Sequence, residues 1–395
     1  MLREPFFFTA RAPSRCRARA RRERSRGPAH SPSWPCAGHY LQVIDSRSRP
    51  FDTRPMRLYQ LDKLGSTDGI VLCERNEPKP GPTEIVVRVH AASLNKRDSF
   101  ILTGTYPLPA KRGVVPLSDG AGEVVAAGDA VTQFKVGDRV AGCYFPRWRD
   151  GKVQRDIIDQ LGCSLDGMLT EYALLDEQWA VKVPAHLSWE EAATLTCAGV
   201  TAWNSLFGPE PVVAGQTVLT LGTGGVSLFT LQFAKLFGCR VISLTSSEAK
   251  FEKLRALGAD HVLNYAAAPA WGQAVRELTG GEGVDRVVET FGPDTIEQSM
   301  RASALHGQIV LLITRSPTKA AIEISAGAWA SSMTTIRRVF VGSRASFEAM
   351  NRAITASQLR PVIDRVFAFE EAREAFHYFT QGQLFGKVVI KGATA

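Results

Sequence analysis

The stretch Gly222-Thr223-Gly224-Gly225 has the makings of a phosphate site. Gly222 permits a tight turn, and Gly224 and Gly225 carry no Cβ to hold the backbone away from a pyrophosphate. Val226 and Ser227 open a helical pattern, whose first N–H groups lack intrahelical partners and would face the anion. Ser227 stands where a dinucleotide fingerprint prefers Gly or Ala, yet it is small enough for close helix–strand packing. An NAD site places an acid about twenty residues past the glycines to hold the ribose 2′-hydroxyl. Here that place is taken by Thr245, Ser246 and Ser247, with Lys250 following. No carboxylate repels a 2′-phosphate, and two hydroxyls with an ammonium can hold one. NADPH is therefore the expected cofactor. Ser246 and Ser247 are equally suited to capping the next helix, and a tight turn with no ligand is the plainer alternative.

The flanks of this turn are of the required type. Thr217–Gly222 reads as a buried strand and 226–237 as a helix, with Gly238 as its C-cap. A second strand follows at 240–245, a helix at 249–257 ended by Gly258, then strands at 261–265, 284–289 and 308–313. Such alternation predicts a doubly wound parallel sheet, an α/β domain. From Met56 the pattern is instead β-rich. EIVVRVHAASL (84–94), the Gly-punctuated 120–128 and VGDRVAG (136–142) suggest a partly open, barrel-like domain. The charged stretch 145–166 reads as a loop. FEEAREAFHYF (369–379) is patterned as an amphipathic helix, and GKVVIKG (386–392) as a strand that returns to the first domain. The expected division is an Arg-rich, disordered extension over 1–55, a catalytic domain over 56–180 completed by 345–395, and a dinucleotide domain over 181–344.

The net charge of +8 does not mark a nucleic-acid surface. Residues 1–55 hold twelve arginines and no lysine against four acids, while the remainder carries 35 basic and 35 acidic residues. A nucleic-acid footprint belongs on the folded body. The arm reads as sequence upstream of a start at Met56, as a mitochondrial targeting arm, or as a nucleic-acid arm; Pro13, Pro28, Pro32 and Pro35 break any long amphipathic helix in it. Seven scattered cysteines without a CxxC point to a reducing compartment. A cytoplasmic protein is expected, mitochondrial if the arm is genuine. No apolar run is long enough for a membrane span.

LTLGTGGVSLFTLQFAKLFG (219–238) and SSEAKFEKLRALGADHVLNY (246–265) resemble the cofactor domain of the medium-chain dehydrogenases/reductases. SLNKRD (93–98), PLSDGAGEVVAAG (116–128), VGDRVAG and LTCAGVTAWNSL (195–206) resemble catalytic-domain motifs of the same family, in its order and spacing. The resemblance covers nearly all of 56–395. It implies a GroES-like catalytic domain, completed by the C-terminal segment, around a Rossmann domain. Zinc-dependent members hold catalytic zinc with Cys, His and Cys; those positions fall on Asn95, Ser118 (followed by Asp119) and Cys197. One soft ligand in three makes no usable site, and the closely spaced cysteines of a structural zinc lobe are also missing. No zinc is expected. Zinc-free relatives similar to this chain reduce quinones or the C=C bond of enones with NADPH. Charge then develops on a conjugated oxygen that hydrogen-bond donors can stabilise.

The resemblance assigns roles to particular residues. Asn95 would hold the substrate carbonyl through its amide NH₂, Tyr106 would donate a hydrogen bond or proton, and Lys96 would add positive charge. Asp98 reads as structural. Thr201 would touch the nicotinamide-side phosphate, Tyr265 the 2′-phosphate, and Lys387 would close over the cofactor. Phe291 and Gly292 follow the fourth strand, and Leu312 and Ile313 end the fifth; both pairs would face the carboxyl edge of the sheet, where ligands bind. Four of them have a plainer reading: a loop cap for Asn95, turn packing for Tyr106, packing or surface charge for Tyr265 and Lys387. Two rival activities also stand, dehydrogenation of an alcohol and NADPH binding without turnover. TTIRRVFVGS (334–343) resembles the sheet-edge segment through which family members dimerise, so a homodimer is expected, because an exposed strand needs a partner or a cover.

Overall fold

The structure, a computed structural model, describes residues 55–393 apart from 317 and 331. The expected N-terminal extension lies outside the described residues, except for Pro55.

Six strands form one parallel sheet: Thr217–Leu221, Arg240–Thr245, His261–Asn264, Val284–Glu289, Ser303–Leu311 and Thr335–Arg338. Their spatial order is third, second, first, fourth, fifth, sixth. Thr217–Leu221 is buried at every position, which is why its sequence carries no charge and shows no alternation of buried and exposed types. The order reverses between this strand and Val284–Glu289, paired through Arg286 with Val218 and Val288 with Thr220. Chain connections leave the sheet in opposite directions there and open a crevice at the carboxyl ends of the strands. The glycine turn stands at that crevice.

The expected elements are present, with shifted limits. The helix after the turn spans Gly225–Leu236, and Gly238 takes φ +77° as its stop. The fifth strand begins earlier than its apolar run, at Ser303, and ends at Leu311, so Leu312 and Ile313 lie in the following loop rather than in the strand. The segment expected at a sheet edge supplies the sixth strand. Helices Trp271–Leu278, Ile296–Ala302 and Arg344–Ser357 were not marked by the sequence pattern.

The second sheet has a mixed, mostly antiparallel course: Ile363–Phe367, Lys387–Lys391, Glu84–Ser93, Asp119–Ala127, Arg139–Gly142 and Ala180–Lys182, with Tyr172–Asp176 also on Glu84–Ser93. This is the β-rich, GroES-like part. The last strand returns to it as expected, Val389 pairing with Ser93. The same segment touches the dinucleotide part, where the Gly386 N–H donates to the Thr223 carbonyl at 2.9 Å. The C-terminal strand thus delivers Lys387 to the junction of the glycine turn and the loop after Ser93. Among the described residues, no helix is long and apolar enough to cross a membrane.

Candidate active site

The glycine turn divides its labour differently from the sequence expectation. Gly222 has φ +76°, the left-handed conformation a tight turn requires. Gly224 is exposed, and an added Cβ there would meet open space, so a ligand can approach it. Gly225 was expected to make room for pyrophosphate, but a Cβ there would lie 2.6 Å from Cδ of Lys387. Its bareness admits a side chain of this protein. Val226 is half-buried against the main core. The Ser227 hydroxyl donates to the Leu221 carbonyl at 2.6 Å, tying the helix to the strand end. The departure from Gly or Ala thus closes the turn.

The 2′-phosphate candidates also separate. Thr245 is buried and accepts the Ser247 N–H at 3.3 Å. Ser246 is exposed, and the Ser247 side chain makes no capping bond to the helical turn after it, so these hydroxyls are not consumed by a cap. Lys250 donates to the Thr223 hydroxyl and the Leu384 carbonyl, each at 3.0 Å, and Thr223 itself donates to Leu384 at 2.7 Å. Thr223 and Lys250 therefore clamp the C-terminal loop onto the glycine turn. The Tyr265 and Phe291 rings lie 6.0 Å apart, edge to face, and Phe291 is exposed beside Gly222. That pair forms an aromatic wall at the carboxyl edge.

The loop after the fourth strand is held by Glu289. Its buried carboxylate accepts from the N–H groups of Phe291 (2.8 Å) and Gly292 (3.0 Å) and from the hydroxyls of Thr295 and Ser299. Gly292 has φ +71°, and a Cβ would strike the Ile313 carbonyl oxygen. Gly292→Ala combines a disfavoured conformation with a backbone clash. It is expected to destabilise the fold by about 2 kcal/mol or more, read as a lowered urea midpoint.

Asn95 precedes the short helix Lys96–Leu102 and is 7% exposed. Its backbone N–H donates to Asp98 Oδ2 at 2.8 Å. Burial pushes the Asp98 carboxyl up to about 6, with the Arg97 guanidinium 3.8 Å away opposing the shift. The Asn95 Oδ1 accepts from Lys387 Nζ at 2.5 Å, and its Nδ2 is buried without a partner. A buried donor left unpaired costs roughly 1–3 kcal/mol, and a substrate oxygen is the natural acceptor. Lys387, expected over the cofactor, turns inward instead. It is 2% exposed and also reaches the Leu94 carbonyl (2.6 Å) and Asp119 Oδ2 (3.5 Å). The Thr201 hydroxyl donates to the Cys197 carbonyl at 2.6 Å. Lys96 is exposed, its ammonium 5.7 Å from the Phe100 ring centre, and does not join the site. Of the adjacent basic residues Lys96 and Arg97, Arg97 is the buried one.

Arg97 leads to two residues the sequence reading missed. Its guanidinium lies over the rings of Tyr144 (4.6 Å) and Tyr106 (5.5 Å) and donates to the Leu161 carbonyl and Gln160 Oε1. The Tyr106 and Tyr144 hydroxyls are 2.8 Å apart, and each lies within 3.0 Å of Gln160 Oε1. Burial disfavours the phenolate and pushes the pKa of both phenols up, that of Tyr144 strongly.

The family positions for catalytic zinc offer an amide (Asn95), a hydroxyl (Ser118, which donates to Asp119 Oδ1 at 2.8 Å) and the thiol of Cys197. The desolvated surroundings hold that thiol well above its ordinary ionisation range. Zinc takes thiolate, imidazole or carboxylate, and here an ammonium stands within 2.5 Å of the first position. Among the described residues, no group of three His, Cys, Asp or Glu is placed to hold a metal. The residues present do not fit zinc. They do fit a dinucleotide: the open Gly224, the start of the helix Gly225–Leu236, the free serines and the aromatic wall lie on one edge of the sheet.

Comparison with known proteins agrees with this architecture. An alcohol dehydrogenase GroES-like domain matches residues 81–185, and a zinc-binding dehydrogenase domain matches 225–356. A zinc-type alcohol dehydrogenase-like protein of Schizosaccharomyces pombe is 40% identical over 337 residues, 84% of this chain and 97% of that protein. An acryloyl-coenzyme A reductase of Metallosphaera sedula is 28% identical, over 82% of this chain and 97% of its own. The solved structure of an NAD-dependent alcohol dehydrogenase superposes with a TM-score of 0.77 at 32% identity, covering 85% of this chain and 99% of that one. The chain is an oxidoreductase and belongs to the medium-chain dehydrogenase/reductase superfamily.

Proposed function

We propose that the chain is an NADPH-dependent, zinc-independent reductase of quinones or α,β-unsaturated carbonyls. The observation that carries this reading is the buried, unpartnered amide NH₂ of Asn95 at a position where zinc-dependent relatives carry a metal ligand. When bound, NADPH supplies a hydride to the conjugated acceptor. Asn95 Nδ2 donates to the substrate oxygen on which negative charge collects, and the Tyr106 hydroxyl supplies a proton. Conjugation spreads the charge, so neutral donors suffice; an alkoxide formed from a simple alcohol has no such relief and calls for a Lewis acid. The acryloyl-coenzyme A reductase among the relatives bears, by its name, on a C=C bond next to a carbonyl. For NADPH the support is the absence of an acid at Thr245–Ser247 and the uncommitted hydroxyls of Ser246 and Ser247.

A second reading, NAD-dependent oxidation of alcohols, is favoured by the name of the solved neighbour. A homodimer completes the proposal, supported by the free outer edge of Thr335–Arg338 and the exposed Trp329, Met333 and Phe340 around it.

The deciding experiment follows nicotinamide absorbance with protein beginning at Met56 against quinones, enones, enals and aldehydes, with metal content measured on the same sample. The expected result is oxidation of NADPH by a quinone or enone, with kcat/KM at least about tenfold above that for NADH. Turnover confined to alcohols, or one tightly held zinc per chain, would sink the proposal. Protection from unfolding by NADPH without turnover of any acceptor would select a binding protein instead.

A further inference from the structure

Lys387 is a buried cation whose three contacts all lie at the reacting end of the site. The Leu94 carbonyl and Asn95 Oδ1 accept from its ammonium at 2.6 and 2.5 Å, and Asp119 Oδ2 stands at 3.5 Å. Asp119 is itself fixed, accepting from the Ser118 hydroxyl at 2.8 Å and the Cys197 N–H at 3.3 Å. The stem of Lys387 crosses Gly225, where any Cβ would collide with it, and the neighbouring Gly386 is bonded to the glycine turn. The ammonium is therefore held from both ends, by its own chain and by its acceptors.

This arrangement decides which way Asn95 faces. An ammonium donates and cannot accept. The amide oxygen of Asn95 must point at Lys387, and its NH₂ must point away, where it is buried without a partner. With the ammonium absent, the acceptors it leaves, the Leu94 carbonyl and Asp119 Oδ2, would draw the Asn95 NH₂ inward and away from the substrate. Resting on the reductase reading above, we propose that Lys387 is the positioning residue of the site: a fixed ammonium that orients the Asn95 amide toward the substrate oxygen. The sequence expectation for Lys387, closing over the cofactor, makes the opposite prediction about which kinetic constant it controls.

The test compares Lys387→Met, which keeps the stem and removes the charge, with Asn95→Ala and the double variant. Lys387→Met with Asp119→Asn removes both charges together, should an unpaired Asp119 prevent folding. NADPH affinity, titrated by protein fluorescence, should stay within about threefold of wild type, because Lys387→Met keeps the stem that crosses Gly225 and removes only the distal charge. With the best acceptor of the wild-type protein, kcat should fall roughly 100-fold in Lys387→Met and in Asn95→Ala, and no further in the double variant, because both changes remove one interaction. A second readout needs no turnover: 4-nitrophenolate bound to the NADP⁺ complex, followed by its absorbance, should bind about tenfold more weakly in both single variants. Retained kcat with retained probe affinity, losses that multiply in the double variant, or a loss confined to NADPH affinity would each overturn the assignment. A wild-type protein inert to every acceptor would instead count against the reductase reading, and the probe would then decide on Lys387 alone.

Discussion

Asn95→Ala is expected to lower kcat by about 10²- to 10³-fold, the scale of removing one donor from a site that stabilises a developing oxyanion. The loss should appear equally in kcat and kcat/KM, with KM little changed, because the bond strengthens as charge reaches the substrate oxygen. Asn95→Asp is the sharper variant. It preserves the shape of the side chain and turns the contact with Lys387 into an ion pair, so Lys387 and Asp119 keep their places. What it removes is the NH₂ donor, replaced by an oxygen that repels negative charge. Asp at this position should therefore be at least as inactive as Ala. Substantial activity in Asn95→Asp, measured by steady-state NADPH oxidation, would show that the amide does not hold the substrate.

The parts of this molecule that the sequence announces are those whose signal is local. The buried run Thr217–Leu221, the left-handed Gly222 and the helix start beside it follow from neighbouring residues, so the dinucleotide half is legible in both fold and position. Roles that depend on distant chain are not. Gly225 looks like room for a phosphate until the strand at the far end of the chain lays Lys387 across it. Lys96 and Arg97 are adjacent basic residues, and only the phase of their short helix decides that the first meets water and the second lies under two tyrosines. Leu312 and Ile313 continue an apolar run past the last residue that finds a strand partner. Gln160 sits in a stretch with no periodicity, and a loop is what the structure shows there. Yet the residue is fully buried, because its side-chain carbonyl gathers two phenols and a guanidinium. One trace was available: Gln160-Leu161-Gly162-Cys163 is an uncharged island in a charged segment.

That same cluster supports the second large effect. Tyr106→Phe is expected to reduce kcat by about 100-fold, the lower end of what a positioned proton donor contributes. Three short contacts join the Tyr106 hydroxyl, the Tyr144 hydroxyl and Gln160 Oε1, yet the two phenols have only two hydrogens between them. One contact is always without a hydrogen, so the hydrogens can be redistributed without moving a heavy atom. When Tyr106 gives its proton to the substrate, Tyr144 can turn its own hydroxyl onto the new phenolate, and the Arg97 guanidinium over both rings lessens the cost of that charge. Tyr144→Phe removes this support and keeps the donor, so its loss should be smaller, about tenfold, and should vanish when Tyr106 is already Phe. The pH profile supplies an independent check. Burial holds the Tyr106 phenol above its ordinary value, so the donor stays protonated through the neutral range. A falling alkaline limb from this group should appear only above about pH 10. A limb at neutral pH that disappears in Tyr106→Phe would mean that the hydroxyl acts as a base, and the direction of proton transfer argued here would be reversed.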